Sequence, residues 1–127
     1  MILIVDGDAA DAASLERILR YNALESVAVT GGMEALALLD LQRPELIILE
    51  LGLKDFPGTT LLRSIRTDPD FSAVPILIFT REFADEMRKE ALREGAQEYL
   101  VKGTLGWVAL LERIRGLLAN SQKSGLE

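Results

Sequence analysis

The 127-residue sequence has no cysteine and no histidine. The first absence excludes disulfides, thiolate nucleophiles and cysteine-ligated zinc. The second excludes a Ser-His-Asp triad and removes the commonest transition-metal ligand. Long apolar runs are missing too: none approaches the ~20 residues of a membrane span. No basic segment precedes the apolar stretch Ile2–Val5, so no secretory leader is expected and the expected location is the cytoplasm. Bases are the minority charge, with 14 Lys+Arg against 20 Asp+Glu and a net charge of −6. They form no cluster, which argues against nucleic acid and anionic membrane as partners. What remains for chemistry is carboxylate, hydroxyl and ammonium, a repertoire suited to hard cations and phosphoryl groups. The length and a 49% hydrophobic content fit one domain with one core.

Five short apolar runs stand out: Ile2–Val5, Val27–Val29, Leu46–Leu49, Ile76–Phe79 and Tyr99–Val101. They are nearly continuous rather than alternating, the pattern of strands buried on both faces in a parallel sheet. Between them lie segments of helical period: Ala9–Tyr21, Met33–Leu41, Thr59–Ile65 and Ala84–Arg93, the last closed by Gly95 as a C-cap. The final segment is the clearest, with Trp107, Leu110, Leu111, Ile114, Leu117 and Leu118 on one stripe. Five strand–helix units predict an α/β fold, a (βα)5 open doubly wound sheet with right-handed crossovers. The domain is expected over residues 1–119, followed by a polar tail or linker over 120–127.

In open α/β sheets the site lies beyond the carboxyl ends of the strands. Those ends carry Asp6-Gly7-Asp8 after the first strand, Glu50 after the third, Thr80 after the fourth and Lys102 after the fifth. Carboxylates facing a hydroxyl and an ammonium suit a hard cation together with a phosphoryl group. Asp8 is also placed to cap the first helix.

The segments ILIVDGD, GGMEALALL, PELIILELGLKDFPG, VPILIFT and GAQEYLVKG, in this order and spacing, resemble the receiver domains of two-component response regulators. The resemblance covers Met1 to Ala119 and implies a flavodoxin-like sheet of five parallel strands in the order 2-1-3-4-5. By position it places the Mg²⁺-binding acidic pair on Asp6 and Gly7, the phosphoacceptor on Glu50 and a metal-binding backbone carbonyl on Gly52. It places the switch hydroxyl on Thr80, the switch aromatic on Tyr99 and the phosphate-binding lysine on Lys102.

Three departures from the family pattern bear on the chemistry. Glu50 stands where the acceptor is Asp; its extra methylene moves the carboxylate by on the order of 1 Å, a misplacement that costs ~10²-fold in a positioned site. Gly7 deletes a carboxylate from the Mg²⁺ site, so the metal at Asp6, Glu50 and Gly52 is expected to be weak or absent. Gly103 replaces the Pro that usually follows the lysine, and a trans Lys102–Gly103 bond is expected. No catalytic residue is therefore expected, and the chain is read as a non-enzymatic, phosphorylation-independent receiver acting as a protein-interaction module. The alternative is a working phosphoacceptor on Glu50 with slow autodephosphorylation. A flavin-binding reading is disfavoured, because the acidic loop Gly7–Ser14 has no phosphate cradle.

The resemblance implies a sensor histidine kinase or another signalling protein as partner and an output domain. It also implies a homodimer through the face of helix four, strand five and helix five, including Arg88, Lys89, Tyr99 and parts of Leu105–Leu118. Glu50 is long enough to reach Lys102 and Thr80 as a partial phosphate mimic, although one charge substitutes poorly for phosphate. The sequence is compatible with a domain locked active, locked inactive or without a switch. Plainer roles stand beside these: a rim ion pair for Glu50–Lys102, a turn hydroxyl for Thr80, half-buried packing for Tyr99, and packing within the helical stripe for Trp107. Asp55 reads as a loop acid, and Arg88, Lys89 and Arg93 as a solvated helix face.

Overall fold

A computed structural model describes residues 1–126, with side chains described through Asn120. Strands β1 (Ile2–Val5), β2 (Ser26–Val29), β3 (Leu46–Leu49), β4 (Ile76–Thr80) and β5 (Glu98–Val101) alternate with five helices. These are α1 (Ala9–Tyr21), α2 (Gly32–Leu39), α3 (Gly58–Thr67), α4 (Asp85–Arg93) and α5 (Trp107–Leu126). All strand pairs are parallel, in the order β2-β1-β3-β4-β5. This is the open doubly wound sheet expected from the pattern, in the flavodoxin-like strand order that the resemblance implies.

The continuous apolar runs follow from helices lying on both sides. Leu3, Val5, Ile47, Leu49, Ile76 and Ile78 face a core shared with Ala35 and Leu39 of α2, Leu61, Leu62 and Ile65 of α3, and Ala91 of α4. Their neighbours Ile2, Ile4, Leu46, Ile48 and Leu77 face Ala12, Leu15 and Leu19 of α1 and Leu110, Leu111, Ile114 and Leu117 of α5. Successive residues of one strand thus serve two cores, which is why no polar residue interrupts β1 or β3. The expectation of burial on both faces fails at the edge: β2 is only half-buried throughout, having a neighbour on one side alone.

Helix limits follow local chemistry. Asp8 caps α1 by accepting the N–H groups of Ala10 and Asp11 at 3.0 and 3.1 Å. Gly95 follows α4 with φ of 110°, a left-handed conformation that its lack of a Cβ makes inexpensive. Packing within the α5 stripe is corrected at its first member. Trp107, the first residue of the helix, is 46% exposed, whereas Leu110, Leu111, Ile114 and Leu117 are buried. The helical backbone of α5 continues through Leu126, across the expected start of the tail or linker at residue 120; the side chains of 121–127 lie outside the described residues.

Candidate functional site

The parallel register brings the ends of β1, β3, β4 and β5 to one rim. Asp6 follows β1, its N–H donating to the Val29 carbonyl at 3.0 Å, and Glu50 follows β3, its N–H donating to the Val5 carbonyl at 2.8 Å. The Lys102 N–H donates to the Thr80 carbonyl at 2.7 Å, which places the last two side chains beside each other. Asp6, Glu50 and Thr80 are the buried polar side chains of the described residues. Buried polar groups require partners, and here each has them.

Lys102 is the hub. Its Nζ lies 2.7 Å from Asp6 Oδ2, 2.8 Å from Glu50 Oε2 and 3.0 Å from Asp11 Oδ2, and its side chain is only 10% exposed. The ammonium donates hydrogen bonds to Asp6 and Asp11 and forms an ion pair with Glu50. The group also sits 5.7 Å from the centre of the Phe79 ring. Burial opposes its charge, yet the three carboxylates more than offset this and hold its pKa above the ordinary value. Burial pushes the Asp6 carboxyl up, against the downward pull of Lys102 and the Asp8 N–H.

The remaining carboxylate oxygens are also engaged. Asp6 Oδ1 accepts the Asp8 N–H at 2.9 Å, while Glu50 Oε1 accepts the Thr80 hydroxyl and the Gly52 N–H, the latter at 3.3 Å. Thr80 Oγ1 in turn accepts the Glu82 N–H at 3.2 Å, and the Glu82 carbonyl accepts the Tyr99 hydroxyl at 2.7 Å. A continuous chain of hydrogen bonds therefore runs from Glu50 through Thr80 and the loop after β4 to Tyr99. Tyr99 is 3% exposed, which corrects its placement on the α4–β5–α5 surface: its ring lies beneath that face in the core and only its hydroxyl serves the loop. Arg88 and Lys89 are exposed on α4.

Asp11 and Arg81 were missed by reading strand ends alone. Asp11 stands three residues after Asp8 on α1, so one helical turn brings it over the rim. Arg81 pairs with Asp11 at 2.7 Å and with Asp8 at 3.5 Å, tying α1 to the loop after β4. The Lys102–Gly103 bond is trans, and Gly103 turns the chain with φ of 85°. Asp55 lies away from the rim, where it caps α2 through the N–H groups of Gly32 and Met33 at 2.8 and 3.0 Å.

These donors do not fit a divalent cation in the arrangement observed. All four carboxylate oxygens of Asp6 and Glu50 already accept from N–H, hydroxyl or ammonium groups. The Gly52 carbonyl is directed at Gly7, where a Cβ would stand 2.5 Å from it. With Lys102 in place, no group of three or more acids among the described residues is arranged to hold a metal.

The model of the response regulator receiver domain family matches residues 2–115. Among curated proteins the chain is 34% identical over 117 residues to the response regulator MprA of Mycobacterium sp. strain KMS, covering 92% of this chain and 50% of that one. It is 32% identical over 118 residues to the transcriptional regulatory protein PrrA of Mycobacterium tuberculosis, covering 92% and 49%. The chain thus spans about half the length of these relatives. Among solved structures it is similar to a CheY-like response regulator receiver domain protein from Methanospirillum hungatei, with a TM-score of 0.89 and 28% identity. That match covers 97% of this chain and 96% of the other.

Proposed function

The chain belongs to the response regulator receiver domain family, and from that membership we propose that it is a phosphorylation-independent receiver that signals by binding another protein. The observation that carries this reading is the double grip on Glu50: Lys102 holds one carboxylate oxygen and Thr80 the other. In the family the corresponding lysine and hydroxyl meet the phosphoryl group, so here the acceptor side chain itself engages them. The free nucleophile that phosphotransfer needs is therefore committed to hydrogen bonds, and the acid that would bring Mg²⁺ is replaced by Gly7. On this reading the domain is not an enzyme, and Mg²⁺ binds weakly or not at all.

The hydrogen-bond chain from Glu50 to Tyr99 supports a domain held toward its signalling conformation, since it links the acceptor position to the loop that leads into α4. The partner is read as a histidine kinase or another signalling protein docking on α4, β5 and α5, with a second copy as the alternative occupant. Residues 1–119 form the receiver, 120–127 would lead on to an output domain, and the cytoplasm is the expected location.

Intact mass spectrometry after incubation with acetyl phosphate and Mg²⁺ tests the reading. No adduct of about 80 Da, one phosphoryl group, is expected. Such an adduct, present in the native chain and lost in Glu50→Gln, would establish the phosphoacceptor reading instead. Beryllofluoride is expected to leave the NMR spectrum of the native chain unshifted.

A further inference from the structure

We infer that the Lys102 ammonium is the resident cation of this rim, taking among Asp6, Asp11 and Glu50 the place a divalent ion would need. This deepens the phosphorylation-independent reading and rests on it. Three observations meet here. Three carboxylates surround the ammonium at 2.7, 2.8 and 3.0 Å, Asp6 and Asp11 as hydrogen-bond acceptors and Glu50 as an ion pair. The oxygens of Asp6 and Glu50 that do not face Lys102 accept from the Asp8 N–H, the Gly52 N–H and the Thr80 hydroxyl, so an incoming metal would compete with these donors as well as with the ammonium. The Gly52 carbonyl stands within 2.5 Å of the position a Cβ on residue 7 would take, so the loop after β3 sits in the space a second acid would occupy.

Asp11 completes the seat and is a positioning residue that the strand-end pattern does not contain. It holds Lys102 from α1 while Arg81 holds Asp11 from the other side. The negative charge left over lies on Asp8 and Asp11 in the first turn of α1, where the positive end of the helix dipole favours it. The rim therefore tolerates its acids with no added ion. Mg²⁺ gives up its water reluctantly and would have to displace an ammonium paired with three carboxylates, two of them through charge-assisted hydrogen bonds.

Electron paramagnetic resonance of Mn²⁺ titrated with the 127-residue chain reads this out. The native chain is expected to leave the free Mn²⁺ signal intact, and thermal melts in EDTA and in about 10 mM Mg²⁺ are expected to superimpose, because an ion that bound the folded state would raise Tm. Lys102→Ala leaves three converging carboxylates without their cation and is expected to bind Mn²⁺ at least about tenfold more tightly than the native chain, with Mg²⁺ raising its Tm. Gly7→Asp alone, with Lys102 in place, is expected to gain no saturable binding. Saturable Mn²⁺ binding by the native chain, or a folded Lys102→Ala variant that gains none, overturns the inference. Should Lys102→Ala not fold, the native titration and melts decide it. Mn²⁺ binding without a phosphoryl adduct would overturn the resident-cation inference alone, whereas an adduct formed in EDTA would overturn the phosphorylation-independent reading.

Discussion

The Thr80 hydroxyl donates to Glu50 and accepts from the Glu82 N–H, so one side chain joins the end of β3 to the loop leading into α4. Both Thr80 and Glu50 are buried, and a hydrogen bond to a buried charged group contributes more than a neutral one. Thr80→Val keeps the shape and removes the hydroxyl, leaving Glu50 Oε1 with the Gly52 N–H alone. A loss of about 1–3 kcal/mol is expected in urea denaturation. Thr80→Ser keeps the donor and is expected to recover most of it. Equal losses in the two variants would show that the methyl group, not the hydroxyl, matters.

At the far end of the same chain of hydrogen bonds, Tyr99→Phe removes the hydroxyl that donates to the Glu82 carbonyl at 2.7 Å and leaves the buried ring in place. A neutral hydrogen bond of this kind contributes about 0.5–1.5 kcal/mol, so the global effect is small. The local effect is the informative one. Amide exchange at Glu82 and its neighbours is expected to accelerate, while exchange within β1 and β3 stays unchanged. Uniform acceleration across the sheet would mean that the hydroxyl supports the core rather than the loop.

Much of this was legible in the sequence because apolar patterning and chain order decide it. Ile2–Val5, Ala9–Tyr21 and Leu46–Leu49 appear with the limits their composition indicated, and the strand ends brought Asp6, Glu50, Thr80 and Lys102 together. What the pattern did not carry was tertiary. Asp11 reaches the rim from a helix face rather than a strand end, and Arg81 is an ordinary exposed residue until α1 lies beside it. Trp107 continues the helical period of α5, yet periodicity does not say that the first residue of the helix stays half exposed. The family resemblance places Tyr99 on the α4–β5–α5 face, but β5 turns its ring inward into the core it shares with Ile78 and Ala96.

Asp55 gives a pH dependence whose sign is fixed by its partners. The N–H groups of Met33 and Gly32 hold its carboxyl below the ordinary value of 3.8. A depressed folded-state pKa means that the cap contributes fully above the unfolded value and is lost as pH falls through the folded one. The amide proton shifts of Gly32 and Met33 are therefore expected to move together in one step whose midpoint lies below the ordinary value of 3.8. In Asp55→Asn the same two amides are expected to show no such step. A step above the ordinary carboxylate value would contradict the capping role.

The neighbouring contact in the same loop is steric, and a double-mutant cycle isolates it. A Cβ on Gly32 would stand 2.2 Å from Cζ of Phe56, whose half-buried ring lies across the start of α2. Gly32→Ala must push the ring aside, and overpacking of this kind costs about 1–3 kcal/mol despite the better helix propensity of alanine. Phe56→Ala removes the obstacle at its own packing cost. Added to that background, Gly32→Ala is expected to change stability by no more than about 0.5 kcal/mol in urea denaturation, a coupling of roughly 1 kcal/mol or more between the two sites. Because Phe56 and Asp55 fasten the loop that carries Gly52, the single Gly32→Ala variant is also expected to shift the Gly52 amide resonance, through its hydrogen bond to Glu50. Strictly additive losses, with the Gly52 resonance unmoved, would mean that the start of α2 and the rim are fastened independently.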